Sequence, residues 1–101
     1  MDQVFTALGE PSRRQMLDVL RHGERSAGEL ERLLGMPQPA ASKHLRVLRE
    51  AGLVRMRKDA QRRIYAIEPR KLAELDQWLA GYRGFWNGAL DALGRHLERE
   101  V

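Results

Sequence analysis

Between Gln38 and Arg46 the chain sets an amide, a hydroxyl and two cations on one short segment, QPAASKHLR, with small side chains between them. Gln38 and Ser42 can each donate and accept hydrogen bonds, whereas Lys43 and Arg46 are donors only and carry charge. Pro39 and Ala40 are short and apolar, so another surface can approach the backbone closely there. No base or second carboxylate stands at a spacing that would activate the serine, so this is chemistry for recognition and not for bond breaking. A second polar set, Lys58, Gln61, Arg62 and Arg63, follows a few residues later.

The charge map picks out the same region. The 101-residue chain has a net charge of +4, yet residues 43 to 67 alone hold eight Lys and Arg against Glu50 and Asp59, a local +6, with −1 on each side. Charge that served only solubility would be spread along the chain. A cationic excess confined to one quarter of it is the footprint expected of a polyanion partner.

These residues must be held by local structure, and the sequence supplies it. Ala41, Leu45 and Leu48 recur at helical spacing, Pro39 suits a helix start, and Gly52 falls where a left-handed cap is needed. Upstream, Ser26-Ala-Gly-Glu29 is a capping box opening a short helix, roughly Ala27 to Leu34, with Leu30, Leu33 and Leu34 expected inside. Gly35-Met36-Pro37 breaks the chain between the two helices, which makes a helix-turn-helix. Glu10 or Ser12 with Pro11 starts an earlier helix whose buried stripe is Met16, Leu17 and Leu20. Arg13 and Arg14 oppose its macrodipole and are expected to meet water, with phosphate as the alternative.

After Gly52, Leu53 to Arg57 and Arg62 to Ile67 read as two strands joined by Lys58-Asp59-Ala60-Gln61. A helix-turn-helix followed by a basic hairpin is the layout of a winged helix. Its second helix enters the major groove of duplex DNA, and its wing reaches the backbone or minor groove.

From Ala7 to Ile67 the chain resembles the winged-helix domain of the ArsR/SmtB family of bacterial repressors. The likeness rests on LG-x-P-x-R at the start, the S-x-x-E-L box, the core Q-x-x-x-S-K-H-L-R-x-L-x-x-A-G-L-V, and R-R-I-Y-A. It implies a dimeric transcriptional regulator on a pseudo-palindromic operator, with groove contacts from Gln38, Pro39, Ser42 and Lys43 and wing contacts from Lys58 to Arg63. The family's metal chemistry does not carry over. Leu30-Glu31-Arg32-Leu33 stands where many members have a thiolate pair, and the chain contains no Cys. His96 is followed by Arg99 and not Glu at the third position, with no histidine upstream on that helix. No metal and no cofactor are expected.

The C-terminal third has a different character. Pro69 can start a helix running towards Glu100, and Leu72, Leu75, Leu79, Tyr82, Trp86, Ala89, Leu93 and Leu97 form a seam widened by Trp78, Phe85 and Leu90. That is more apolar surface than one small core uses, so it and the N-terminal Val4, Phe5 and Leu8 are expected to pack against a second copy. The interface residues expected are Val4, Phe5, Leu8, Leu79, Tyr82, Phe85, Trp86, Ala89, Leu90, Leu93 and Leu97. Gly81, Gly84 and Gly88 leave open whether the helix is continuous or breaks near Gly81. The aromatic cluster leaves open a second use, as the lining of a pocket for an unidentified small-molecule inducer.

The expected architecture is therefore mainly α with a two-stranded β-hairpin. It forms a single winged-helix domain over residues 1-101, with residues 1-9 and 69-100 for dimerisation and 10-67 as the core. An acidic residue at position 2 and the lack of any apolar run of signal or membrane length point to a cytoplasmic protein without membrane contact. The partners expected are double-stranded DNA and a second copy of the chain. Two rival readings remain: an enzyme, for which no catalytic constellation is present, and a winged helix that contacts only protein, its basic ribbon meeting an acidic partner.

Overall fold

The computed structural model describes residues 1–99. Eight elements follow in order: α1 (Asp2–Leu8), α2 (Pro11–Leu20), β1 (Arg25–Ser26), α3 (Ala27–Leu34), α4 (Gln38–Glu50), β2 (Val54–Asp59), β3 (Arg62–Ile67) and α5 (Pro69–Arg99). The helix ends are set by local chemistry. Glu10 is the N-cap of α2, its carboxylate accepting the Arg13 amide N–H at 3.0 Å, and Pro11 sits just inside. Ser26 Oγ accepts the Glu29 amide at 3.1 Å while Glu29 Oε1 accepts that of Ser26 at 2.9 Å, a closed capping box. The Ser26 amide and hydroxyl hold the Glu29 carboxyl below its ordinary pKa.

The C-terminal ends of α3 and α4 close the same way. Gly35 (φ 59°) and Gly52 (φ 77°) are left-handed. The following amides reach back five residues, Met36 N–H to Glu31 O at 2.9 Å and Leu53 N–H to Leu48 O at 3.0 Å. These are Schellman closures, which a Cβ at the left-handed position would strain. Pro39 proves to be the second residue of α4, after Gln38.

The sheet has three antiparallel strands in the order β1-β3-β2, one more than the expected hairpin. β1 is only Arg25 and Ser26, paired with Tyr65 and Ile64. The wing loop is also tighter than the four residues expected. β2 extends through Asp59, which pairs with Arg62, leaving Ala60 and Gln61 as the loop with Ala60 at φ 56°.

The core lies between α1, α2, α3, α4 and the sheet, and includes Val4, Ala7, Met16, Leu30, Leu45, Leu48 and Leu53. Two expectations are corrected here. Val4, assigned to the partner interface, is 1% exposed and belongs to the protomer's own core, because α1 turns Val4 and Ala7 inward together. Leu33, expected inside, is 60% exposed: in so short a helix Leu30 faces the core and Leu34 flanks it, which rotates Leu33 outward.

Arg13 and Arg14, expected to meet water, instead bond to backbone carbonyls. Arg13 donates to Ala7 O at 2.8 Å and Thr6 O at 3.2 Å, and Arg14 donates to Leu8 O at 2.7 Å. They supply donors and positive charge to the carbonyls ending α1, where a helix end favours cations.

α5 is continuous through Gly81, Gly84 and Gly88. Leu72, Leu75 and Leu79 are half-buried, and beyond them the helix leaves the body. The radius of gyration is 18.0 Å and the longest extent 61 Å, against about 13 Å for the gyration radius of a compact chain of this length. No helix among the described residues is long and apolar enough to cross a membrane.

Candidate nucleic-acid interface

Burial of Ala41, Leu45 and Leu48 fixes which side of α4 faces outward. Pro39, Ser42, Arg46 and Arg49 follow at steps of three, four and three, so they share the opposite flank, all exposed. Lys43 stands beside them, also exposed, and Ala40 is half-buried. Gln38 Nε2 donates to Ser42 Oγ at 2.9 Å, so the two polar groups that could read base edges are held together at the start of the helix.

The wing folds back against this flank. Met56 pairs across the ribbon with Tyr65, whose ring is buried towards the helices, and Arg63, two residues earlier on the same face, projects beside α4. A depression of about 520 Å³ results, lined by Pro39, Ser42, Lys43, Arg46 and Arg49 from the helix and by Arg63 and Tyr65 from the wing. No carboxylate lines it.

Of the expected contacts, the structure gathers Pro39, Ser42, Lys43, Arg46 and Arg63 into this one groove. Gln61 and Arg62 instead line a second depression with Arg63, Arg32 and the start of α3, and Lys58 lines neither. Two lining residues, Arg49 and Tyr65, were missed by the sequence reading. The signal for Arg49 was present, since it continues the spacing of Ser42 and Arg46 by one more turn.

Ion pairing sorts the cations further. Arg57 meets Glu24 at 2.6 Å, Arg55 meets Glu68 at 3.4 Å, and Arg62 meets Asp59 at 3.1 Å. The bond to Glu24 raises the Arg57 pKa above its usual value. Among the described residues, Lys43, Arg46, Arg49, Lys58 and Arg63 make no ion pair. Of these five, Lys43, Arg46, Arg49 and Arg63 line the groove, and Lys58 stands apart on β2.

On the far side, α1 and α5 present an apolar face. Phe5 meets Trp78 edge to face with ring centres 5.3 Å apart, Trp78 lies 4.9 Å from Tyr82, and Tyr82 lies 6.5 Å from Phe85. Phe85 is 77% exposed, and Trp86, Ala89, Leu90, Leu93 and Leu97 continue the exposed surface along α5. Leu8 and Leu79 are half-buried at its inner margin.

Known proteins bear on both surfaces. Residues 8–57 match a helix-turn-helix domain family. An HTH-type transcriptional regulator of Mycobacterium tuberculosis is 37% identical over 99 residues, spanning 98% of this chain and 90% of its own. The transcriptional repressor SdpR of Bacillus subtilis is 28% identical over 82 residues, 81% of this chain and 91% of its own. A solved ArsR family transcriptional regulator superposes with a TM-score of 0.76 at 31% identity, over 85% of this chain and 89% of that one. The chain belongs to the ArsR/SmtB family of winged helix-turn-helix regulators. A second solved relative is the homodimeric winged helix-turn-helix DNA-binding domain of a Mycobacterium bovis protein. It has a TM-score of 0.68 at 32% identity, over 80% of this chain and 75% of that one. Within the ArsR/SmtB fold the groove between α4 and the wing is the part this chain has armed most heavily with charge.

Proposed function

We propose that the chain is a homodimeric, sequence-specific repressor that binds a pseudo-palindromic DNA operator. The observation that carries this reading is the groove between α4 and the wing, where Lys43, Arg46, Arg49 and Arg63 converge without a neutralising carboxylate. Such a set matches the phosphate backbone, displaces condensed counterions and makes binding fall steeply with salt. Gln38 and Ser42, at the start of α4, read base edges, and Pro39 and Ala40 supply apolar contact in the groove. The solved homodimeric relative supports a two-fold assembly. The exposed face of α1 and α5 provides the surface for it. Two reading heads then fall on half-sites about 34 Å apart or a multiple of that.

The test is selection of bound duplexes from a random pool. An inverted repeat should be enriched, and its affinity should fall with salt. Gln38→Ala should relax preference at one or two base pairs. Arg63→Ala should weaken all duplexes alike and reduce the salt slope by about one, whereas Arg62→Ala, already paired with Asp59, should change it less. Equal affinity of the wild-type protein for every duplex would favour a winged helix that binds an acidic protein.

A further inference from the structure

The contacts that hold α4 in place are mostly apolar and therefore without direction. Ala41, Leu45 and Leu48 bury a narrow stripe, and such a stripe leaves the helix free to roll by small angles at little cost. Base-edge hydrogen bonds do not tolerate roll, because they weaken steeply with misalignment. Long Lys and Arg side chains reaching phosphates tolerate it well.

One side-chain hydrogen bond from α4 to another element stands where it can oppose that rotation. Besides its bonds to Ala7 O and Thr6 O, Arg13 places Nη1 3.3 Å from His44 Nδ1. A guanidinium has only donors, so Nδ1 accepts and the ring proton sits on Nε2. Glu10 borders the same cluster. Its carboxylate accepts the Arg13 amide and lies 3.9 Å from Nδ1, an approach that is not an ion pair while the ring is neutral. Burial pushes the Glu10 carboxyl up, and this is outweighed by the amides of Arg13 and Ser12 together with the Arg13 charge, so its pKa is lowered. His44 lies on the flank of α4 with Ala41 and Leu48, its side chain 16% exposed, and it does not line the groove. At its other end the guanidinium grips α1, whose Phe5 is the first ring of the aromatic face.

We propose that Arg13 is a positioning residue for DNA reading: one guanidinium, bonded to the end of α1 and to His44 of α4, sets the roll of the reading helix against the apolar face of α1 and α5. This rests on the DNA-binding function proposed above. The link acts on discrimination between sequences and leaves backbone affinity alone.

The experiment uses the full chain and the duplex enriched by the wild-type protein, with a scrambled duplex of equal length at the same salt. His44→Leu removes the acceptor without disturbing the bonds from Arg13 to α1. It should lower the ratio of specific to scrambled affinity about tenfold, within the range by which networked residues modulate coupling, while affinity for the scrambled duplex and the dimer constant stay unchanged. His44→Asn, whose side-chain oxygen falls near the Nδ1 position, should restore most of the ratio. Arg13→Lys should lower it comparably, and the Arg13→Lys, His44→Leu double variant should be no worse than the poorer single one. The proposal is overturned if His44→Leu discriminates as well as wild type, if His44→Asn fails with it, or if the two single losses simply add. If instead the wild-type protein shows no preference for any duplex, the DNA-binding function itself has failed.

Discussion

The winged-helix body and the distal half of α5 are built on opposite terms. In the body most apolar side chains turn inward, Leu33 excepted: Leu30, Leu45, Leu48 and Leu53 are fully buried, and the C-terminal ends of α3 and α4 are closed by backbone bonds. Along α5 beyond Leu79, Tyr82, Phe85, Trp86, Leu90, Leu93 and Leu97 are all exposed, from 41% to 77%. Burial of each such side chain is worth about 1.5 to 3 kcal/mol. The body's sequence is satisfied by its own chain, whereas that of distal α5 is satisfied only by another surface.

Self-association is where this contrast should show most. Replacing Phe85 and Leu90 together by Asp should cost about 3 to 6 kcal/mol of dimer free energy per protomer. Sedimentation at micromolar concentration should find monomers that keep the far-ultraviolet signature of the body. Dimers at wild-type concentrations would mean that the exposed face is not the interface. The opposite control is Leu48→Ala, inside the body, which should destabilise the protomer by about 2 to 5 kcal/mol through lost contacts and a cavity. Its loss in denaturant midpoint should not vary with protein concentration; if it does, the body too depends on the partner.

Smaller effects refine the picture of the body as self-sufficient. Ala60 occupies a left-handed position at the wing tip, so Ala60→Gly should raise stability by about 1 kcal/mol, read as a shift in melting temperature. An unchanged melting temperature would show that the wing does not melt with the body. The smallest effect concerns Glu29, whose carboxyl is held below its ordinary pKa by the Ser26 amide and hydroxyl. A depressed carboxylate contributes stability that is present above its unfolded-state pKa and lost as pH falls through the folded one. Wild type should therefore lose midpoint between about pH 5 and pH 3 more steeply than Glu29→Gln. Parallel acid limbs would remove Glu29 from the account.

What could be read from the sequence follows the same division. The capping box at Ser26, the cap at Gly52 and the stripe of α4 are local patterns, and the structure carries each as expected. β1 was invisible because a strand of two residues has no periodicity, and its pairing with Tyr65 and Ile64 is far away in sequence. Arg13 and Arg14 were misjudged because the carbonyls they serve belong to the preceding helix. The wing arginines look equivalent in sequence, yet Arg62 is paired and Arg63 is not, a difference set by where Asp59 falls in the register. Val4 and Phe5 are neighbours of similar hydropathy, and only the packing of α1 decides that one belongs to the body and the other to the outer face.

The unbroken run of α5 also makes it a ruler with a phase. Each residue of an α-helix advances 1.5 Å and turns about 100°. Inserting one residue between Leu79 and Tyr82 would swing the whole outer stripe a quarter-turn or more away from Phe5 and Trp78, whereas inserting seven would return it nearly to its original bearing on a longer arm. Length changes in this segment are thus tolerable only in near-whole numbers of turns.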